Sequence, residues 1–485
     1  MIKNISILLL LLFASTALSA QQTDIYDFEV NGIKVIHKPS KKKVISTKVF
    51  FKWGTRMYDK ETEGIEALAL SWVTSSGTKS YPKDEFNAIL ERTGSGLSGS
   101  TTYDYGKISL SCLTQSWNEG WSLLSDVICH PSYDENEFNN IKQQMIAGAQ
   151  QGESDPDTYL RNTAMVNTFG NGPYANIPEG SAAALDSLSM QEVKDYYDGM
   201  KNTARMFIVV VGDVSKEDLR AKVAELDCVP NVAVRMTPFP DTKIEENSFN
   251  STDREIATNY LRGVMNAPQI GDADEAAMRV AMSILGDHMW TEIRTKRNLS
   301  YAPAAFFPSV IAQDPYTVLY VSTDKPTEAA QVMMDEIRKI RKEGFTEEEL
   351  VNKKGKFLTQ YYMGQETTSS QSETIGRSEL TIGWQEGLNM MNKVNGLSLE
   401  QINAAFNKYL TAVNWTYLGD PSVIDKTVFT APILEKVATE QRTRGPVSVP
   451  SKKQMKELRK SQAKKGKAED YKKSNKANEL KKKEE

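Results

Sequence analysis

LSMQEVKDYY (Leu188–Tyr197) returns 209 residues later as LSLEQINAAF (Leu397–Phe406). Each stretch begins near a serine placed to cap a helix, has an acid or a glutamine soon after it, and repeats apolar residues at helical spacing. A strand-like run ending in Gly-Asp follows each helix, FIVVVGD at Phe207–Asp213 and WTYLGD at Trp415–Asp420. The two halves of the sequence therefore predict the same helix followed by the same strand.

The starts of the two halves repeat in the same way. STKVFFKW (Ser46–Trp53) and ATNYLRGV (Ala257–Val264) are both strand-like and lie 211 residues apart. A constant offset at several points indicates a duplicated unit of roughly 200 residues. We place the units at 24–232 and 247–440, and residues 233–246, which contain prolines and show no clear period, form the predicted linker.

Strands and long amphipathic helices alternate within the first unit. The predicted helices are Lys83–Thr93, Trp117–Ile128 and Glu135–Gln151. This mixture predicts an α+β fold of two homologous units, each a largely antiparallel sheet with helices packed on it.

The N-terminus predicts export. Residues 1–20 have an early lysine, an apolar run from Ile5 to Phe13 and small residues after it, which is typical of a secretory signal peptide and too short for a membrane-spanning helix. We see no other long apolar run, so the mature chain is expected to be periplasmic or extracellular, without a transmembrane segment.

The charge is unevenly distributed. Residues 451–485 hold thirteen lysines, one arginine and six acids, a net charge of +8, which leaves −12 for the rest of a chain whose net charge is −4. We predict that 441–485 is a Lys-rich disordered tail, since it has almost no large apolar residues. It could act only as a solubilising segment, or it could contact an acidic surface, partner or lipid.

The three cysteines, Cys112, Cys129 and Cys228, are too few for a disulfide framework. Three buried free thiols are the favoured interpretation, and a single Cys112–Cys129 bridge in an oxidising compartment is the other. No Cys-x-x-Cys pair is present, so the cysteines do not suggest a zinc site.

Three stretches together resemble the pitrilysin/insulinase-type zinc peptidases, a family that includes the mitochondrial processing peptidases. They are VNGIKVIHKPS (Val30–Ser40), FFKWGTRMYDKETEGIEALAL (Phe51–Leu70) and the segment Ser76–Leu113. The resemblance extends over nearly all of 24–440, including the duplication.

Active members of that family carry His-x-x-Glu-His on the helix that corresponds to EGIEALALSWVTSSGTKSY (Glu63–Tyr81). Two histidines at i and i+4 hold zinc on one helix face, and the glutamate acts on the metal-bound water. Counted from Gly64, these places are taken by Ala67, Leu70 and Ser71; counted back from Gly77, they are taken by Leu68, Ser71 and Trp72. Neither register supplies a ligand or a base.

The other candidate ligands are equally unpromising. The later helix, Ile141–Gln151, has no carboxylate where the family's third ligand would lie. We expect Glu66 to be an exposed helix residue, and His37, His130 and His288 to be surface or capping residues. The chain is therefore predicted to have no catalytic residue of its own and no metal cofactor.

The second unit keeps a different motif, TEIRTKRNLSYAP at Thr291–Pro303. In the family, an arginine and a tyrosine seven residues apart bind the substrate backbone and stabilise its developing oxyanion, and Arg294 and Tyr301 have this spacing. Arg297 is a poorer match, and Asn298 stands where glycine is usual, so the turn could differ. The alternative is a surface ion pair for Arg294 and simple packing for Tyr301.

Leu97–Thr102 (LSGSTT) corresponds to an edge strand that, in the family, pairs with the peptide substrate. Its small residues would let a peptide approach closely, although ordinary turn glycines explain them equally well.

The resemblance implies an exported, non-catalytic peptidase subunit that forms a hetero-oligomer with a zinc-bearing family member. Arg294 and Tyr301 would bind the peptide substrate in the partner's site, and no nucleic acid is expected. A non-enzymatic peptide-binding or scaffold protein is the alternative. A metallopeptidase with displaced ligands is a third, weaker hypothesis.

Overall fold

Two mixed sheets, one in each half of the sequence, form the framework of the protein. The structure, a computed structural model, describes residues 25–234, 239, 241–308 and 313–433. The first repeat contains β1 Tyr26–Val30, β2 Ile33–Pro39, β3 Val44–Lys52, α1 Ile65–Ser75, α2 Lys83–Thr93, β4 Gly96–Thr101, β5 Tyr105–Leu113, α3 Trp117–Cys129, α4 Glu135–Ser154, α5 Pro156–Phe169, α6 Ala182–Ser187, α7 Met190–Met200, β6 Met206–Gly212 and α8 Lys216–Ala224.

The second repeat follows a similar succession of elements, without a counterpart of β1, with a π-helical turn in place of α2, and with one more helix before its last strand. It contains β7 Ser248–Asp253, β8 Asn259–Asn266, α9 Glu275–Met289, a π-helical turn Trp290–Thr295, β9 Ala304–Phe306, β10 Tyr316–Thr323, α10 Pro326–Glu343, α11 Glu347–Gly364, α12 Thr368–Thr381, α13 Trp384–Leu388, α14 Met390–Gly396, α15 Leu399–Tyr409, β11 Asn414–Gly419 and α16 Thr427–Thr430.

The strand orders confirm the predicted α+β duplication. The first sheet has the order β1-β2-β6-β3-β5-β4, and the second has β7-β11-β8-β10-β9, which matches it once β1 is left aside. In each sheet only one pair is parallel, β2 with β6 and β7 with β11. The two repeated helices, α7 and α15, both start with a capping box, formed by Ser189 with Glu192 and by Ser398 with Gln401.

The two repeats exchange a helix. Helix α12 of the second repeat covers one face of the first sheet, where Ile375 and Trp384 pack with Phe50 and Phe207. A Cβ on Gly376 would lie 2.1 Å from the Phe50 ring, so this close contact needs glycine. Helix α5 of the first repeat packs in turn on β8 and β11 of the second sheet. The repeats are therefore interlocked, which the sequence did not reveal.

A half-buried ionic cluster joins helix α12 to the first sheet. The Glu373 carboxylate accepts hydrogen bonds from Lys48 and Lys107, each at 2.7 Å, and from the Tyr105 hydroxyl at 2.8 Å. Burial alone would raise the pKa of Glu373, but the two lysines lower it to about 2. Glu373 is thus a charged group that the fold holds between two cations.

The expectation of a buried free thiol is confirmed for Cys112 and was wrong for Cys129 and Cys228, and the alternative Cys112–Cys129 bridge was wrong. Cys129, at the end of α3, forms a disulfide with Cys228, whereas Cys112 is a buried free thiol. Cys112 lies on β5 within the buried core of the first repeat, and Cys129 is already paired with Cys228. The bridge closes a loop with a sequence separation of 99 residues, a length that constrains the unfolded chain strongly.

Two of the three histidines were also predicted wrongly. His37 on β2 is fully buried, with its Nδ1 2.8 Å from the Tyr26 hydroxyl, and burial lowers its pKa. His288 lies between Glu336, 2.6 Å from Nδ1, and Glu349, 2.5 Å from Nε2. A neutral imidazole can donate only one hydrogen bond, so the two carboxylates together favour the protonated ring, which can donate to both. The hydrogen bond to Glu336 accordingly raises the pKa of His288.

His130 is exposed at the end of α3, beside Asp126, as a capping residue would be. Within the described residues, no helix is both long enough and apolar enough to cross a membrane. The predicted signal peptide (1–20) and the Lys-rich tail (441–485) lie outside the described residues.

Candidate functional site

Helix α1 is the helix to which the resemblance assigns the family's zinc motif, and two glycines determine where it begins. Gly64 precedes it with a φ of +90°, and a Cβ there would lie 2.6 Å from the Cα of Gly180, whose φ is +86°. Because only glycine permits this approach, the loop before α6 lies directly against the start of α1. The Trp72 indole then fixes the far end by donating a 2.8 Å hydrogen bond to the Asp134 carbonyl.

One face of α1 borders a cavity of about 760 Å³. Ala67 and Ser71, at i and i+4, line it, whereas Leu68, Leu70 and Trp72 are fully buried in the core. Of the three positions counted forward from Gly64, Ala67 and Ser71 therefore face the cavity and Leu70 does not. All of the residues that line this cavity belong to the first repeat.

Strand β4 forms the rim of the same cavity. Ser100 and Thr101 line the cavity, and β4 is the last strand of the first sheet, with no partner on its outer edge among the described residues. A Cβ on Gly99 would lie 2.5 Å from the Leu70 carbonyl oxygen, so this glycine lets the strand lie directly on α1. The predicted edge strand is thus present, and at least one of its glycines serves packing within the chain.

The prediction that Glu66 is exposed was wrong, since its side chain is completely buried. The carboxylate accepts hydrogen bonds from Tyr196 at 2.6 Å, from Thr101 at 3.1 Å and from Arg205 at 3.4 Å. Burial raises the pKa of Glu66, and these partners oppose that effect. Glu66 therefore ties α1 to β4, to α7 and to the start of β6.

Replacing Glu66 by glutamine is expected to lower the free energy of unfolding by about 1–3 kcal/mol. The amide still accepts from Tyr196 or Thr101, but the buried Arg205 guanidinium loses its negatively charged partner. Urea denaturation at neutral pH measures the change. The matched control is Glu61→Gln, an exposed acid just before the helix, which should shift stability by less than about 0.5 kcal/mol. An equal effect of the two substitutions would show that the Glu66 charge is unimportant.

The side chains on the cavity face do not fit zinc. A methyl group at Ala67 and a hydroxymethyl group at Ser71 replace the imidazoles that zinc requires at these positions. In the part of the chain that the structure describes, no group of three or more His, Cys, Asp or Glu side chains is placed to hold a metal ion.

Arg294 and Tyr301 lie together in the second repeat. The Arg294 guanidinium donates a 2.8 Å hydrogen bond to the Tyr301 carbonyl, and its Cζ lies 4.1 Å from the centre of the Tyr301 ring. Trp290, which was not predicted from the sequence, lies on the same turn. The centre of its ring is 4.1 Å from the Arg294 Cζ. An aromatic residue four positions before the arginine was the available signal.

Asn298 preserves the turn for which glycine is usual. Its φ is +51°, in the left-handed region that asparagine tolerates better than most residues. The backbone N–H of Asn298 donates a 3.1 Å hydrogen bond to the Arg294 carbonyl. Asn298 therefore adopts the backbone conformation that a glycine would adopt in this turn.

Comparison with known proteins gives a consistent result. Residues 34–180 match the sequence profile described as Insulinase (Peptidase family M16), and residues 187–356 match that of the Peptidase M16 inactive domain. The Helicobacter pylori protein named non-peptidase homolog YmxG is 24% identical over 378 residues, which cover 75% of this chain and 85% of that protein. The Bacillus subtilis protein named uncharacterized zinc protease YmxG is 21% identical over 394 residues, or 79% of this chain and 94% of that protein.

A solved structure agrees at the level of the fold. The crystal structure of a peptidase M16 inactive domain from Pseudomonas fluorescens superimposes with a TM-score of 0.74 at 19% identity, over 83% of this chain and 99% of that one. The profiles, the relatives and the two repeats confirm the resemblance noted in the sequence. The chain belongs to peptidase family M16, the insulinase family, and its sequence lacks the His-x-x-Glu-His motif of the active members.

Proposed function

We propose that this protein is an exported, non-catalytic subunit of a peptidase, and that it pairs with a zinc-bearing member of its own family. Helix α1 presents no zinc ligand to its cavity, whereas Arg294 and Tyr301 lie side by side. The observation that carries the proposal is this pair, because a guanidinium and a phenol are suited to a peptide carbonyl that gains negative charge. The Cys129–Cys228 bridge supports export, since disulfides persist in oxidising compartments.

A reconstitution experiment tests the proposal. The mature chain alone should not cleave unfolded peptides and should contain less than one zinc per chain by metal analysis. Mixed with a family member that carries intact His-x-x-Glu-His, encoded for example in a neighbouring reading frame, it should form a stable complex and cleave them. The control is the zinc-bearing partner alone, which should be much less active. Full activity of the partner alone, or zinc-dependent hydrolysis by this chain alone, would contradict the proposal.

A second function, peptide binding without cleavage, is favoured by the open edge of β4 beside the cavity. An extended peptide could add to that edge through backbone hydrogen bonds. Hydrogen exchange on the chain with a bound peptide and no partner would then show protection at Gly96–Thr101. Protection without cleavage in every tested mixture would favour this function over the subunit role.

A further inference from the structure

The π-helical turn Trp290–Thr295 is anchored firmly to the second repeat. Ile293 on the turn and Leu299 after it are buried, and the Leu299 N–H donates to the Ile293 carbonyl at 2.9 Å. The Lys296 N–H donates to the Thr291 carbonyl, also at 2.9 Å, which closes the wide turn. Such turns are found often at functional sites. The side chains that it presents to solvent are therefore held on a fixed backbone.

Arg294 lies between two exposed aromatic rings. Trp290 is 46% and Tyr301 is 78% exposed, although rings of this size usually bury most of their surface. Each ring centre lies 4.1 Å from the guanidinium carbon. We call these three side chains the arginine clamp. Because the rings flank the guanidinium, they restrict its orientation and leave its N–H edge for a ligand.

Most N–H donors of the Arg294 guanidinium have no hydrogen-bond partner among the described residues. Among the described residues, its one hydrogen bond is the contact with the Tyr301 carbonyl, and no carboxylate pairs with it. Glu292, on the same turn, is occupied by Lys296 at 2.6 Å and Arg297 at 2.7 Å, and the hydrogen bonds from these two residues lower its pKa. Glu292, the acid on this turn, is thus paired with two other cations. The remaining N–H groups of Arg294 can therefore donate to a planar acceptor.

A peptide could reach the clamp along a sheet edge. Strand β9 begins three residues after Tyr301 and is the last strand of the second sheet, as β4 is the last strand of the first. It pairs with β10 on one side, and the described residues provide no strand on its other side. Phe306, at its end, is 38% exposed and adds an apolar contact surface. Backbone pairing with β9 would bring a peptide close to Arg294.

From these observations we infer that the arginine clamp binds a carboxylate of a peptide ligand. A guanidinium that is fixed in plane matches the two coplanar oxygens of a carboxylate, and such paired, charge-assisted hydrogen bonds are stronger than one to a neutral carbonyl. This inference rests on the proposed function as a peptide-binding subunit and adds a ligand class to it. The carboxylate could be the C-terminus of the peptide or an acidic side chain.

The test compares three peptides that share one sequence free of Asp and Glu and carry a fluorophore at the N-terminus. One ends in a free carboxylate, one ends in an amide, and the third is the amide with a glutamate added at its end. Fluorescence anisotropy with the full chain should show that the free acid binds about tenfold more tightly than the plain amide. Arg294→Gln should abolish this difference, and Arg297→Gln, two residues after the turn and paired with Glu292, should keep it.

The outcomes separate the inference from the function on which it rests. If only the peptide with the free C-terminal carboxylate binds tightly, the clamp recognises chain ends. If the glutamate peptide also binds tightly, the clamp recognises carboxylates of either source. Tight binding of the glutamate peptide alone assigns the clamp to acidic side chains. Equal binding of all three peptides would overturn the inference while leaving peptide binding intact. Failure of all three to bind, alone and with the zinc-bearing partner, would overturn the proposed function itself.

Discussion

Replacing Arg294 by alanine should lower the kcat of the reconstituted peptidase complex by 10²–10³, which corresponds to about 2.7–4 kcal/mol of transition-state stabilisation. The reason is that the guanidinium can strengthen its hydrogen bond as the peptide carbonyl becomes an oxyanion. Steady-state cleavage of a fluorogenic peptide by complexes of equal composition provides the measurement. Because the effect appears in the transition state, kcat and kcat/KM should both fall.

Arg297→Ala is the matched control for this substitution. It removes an arginine that lies two residues after the turn, pairs with Glu292 and, among the described residues, stacks on no aromatic ring. The control complex should retain its rate within about twofold. If Arg294→Ala also stayed within about twofold, the assigned role of Arg294 would be wrong. Tyr301→Phe, which keeps the ring stacked and removes only the hydroxyl, then measures the phenol separately.

Glu373→Ala should lower the free energy of unfolding by about 3–5 kcal/mol, because it leaves Lys48 and Lys107 facing each other without an anion. The Lys48 side chain is only 7% exposed, so water cannot replace the lost carboxylate easily. Urea denaturation at pH 7 measures the loss. Glu348→Ala, an exposed acid in the first turn of α11, is the control and should change stability by less than about 0.5 kcal/mol.

The same residue predicts how stability depends on pH. The pKa of Glu373 is about 2 in the folded protein and 4.5 as its ordinary value, so the folded state binds its proton less readily. The stabilisation is complete above about pH 4.5 and is lost as the pH falls toward 2, a contribution of about 3 kcal/mol. Glu373→Ala should therefore lose less stability than the native chain between pH 5 and pH 3. An identical acid profile for both proteins would contradict this assignment.

Much of the fold could be predicted because its signals are local. The duplicated serine caps and the Gly-Asp strand ends lie at a constant offset, and α7 and α15 begin with the predicted caps at Ser189 and Ser398. Apolar runs such as FIVVV at Phe207–Val211 also revealed a strand whose two faces are buried. Local chemistry was therefore enough to recognise each repeat.

The missed features depend on residues that are distant in the sequence. Helix α12 reads TSSQSETIGRSELT, which has too few apolar residues to predict that it covers a sheet. Its contacts use a glycine at 376 and a glutamate that meets lysines more than 260 positions away. Glu66 was misjudged for the same reason, since Arg205 and Tyr196 belong to elements late in the first repeat. A charged residue is expected to be exposed until its partners are known.

The reciprocal placement of α5 and α12 has a consequence for biosynthesis. During translation the strands of the first sheet emerge long before residues 368–381, which must later shield Phe50 and Phe207. Until then one face of the nascent sheet exposes apolar side chains and is prone to aggregation. The ribosome has to add well over a hundred further residues before that face can be covered. The first repeat therefore cannot complete its packing until helix α12 of the second repeat has been made.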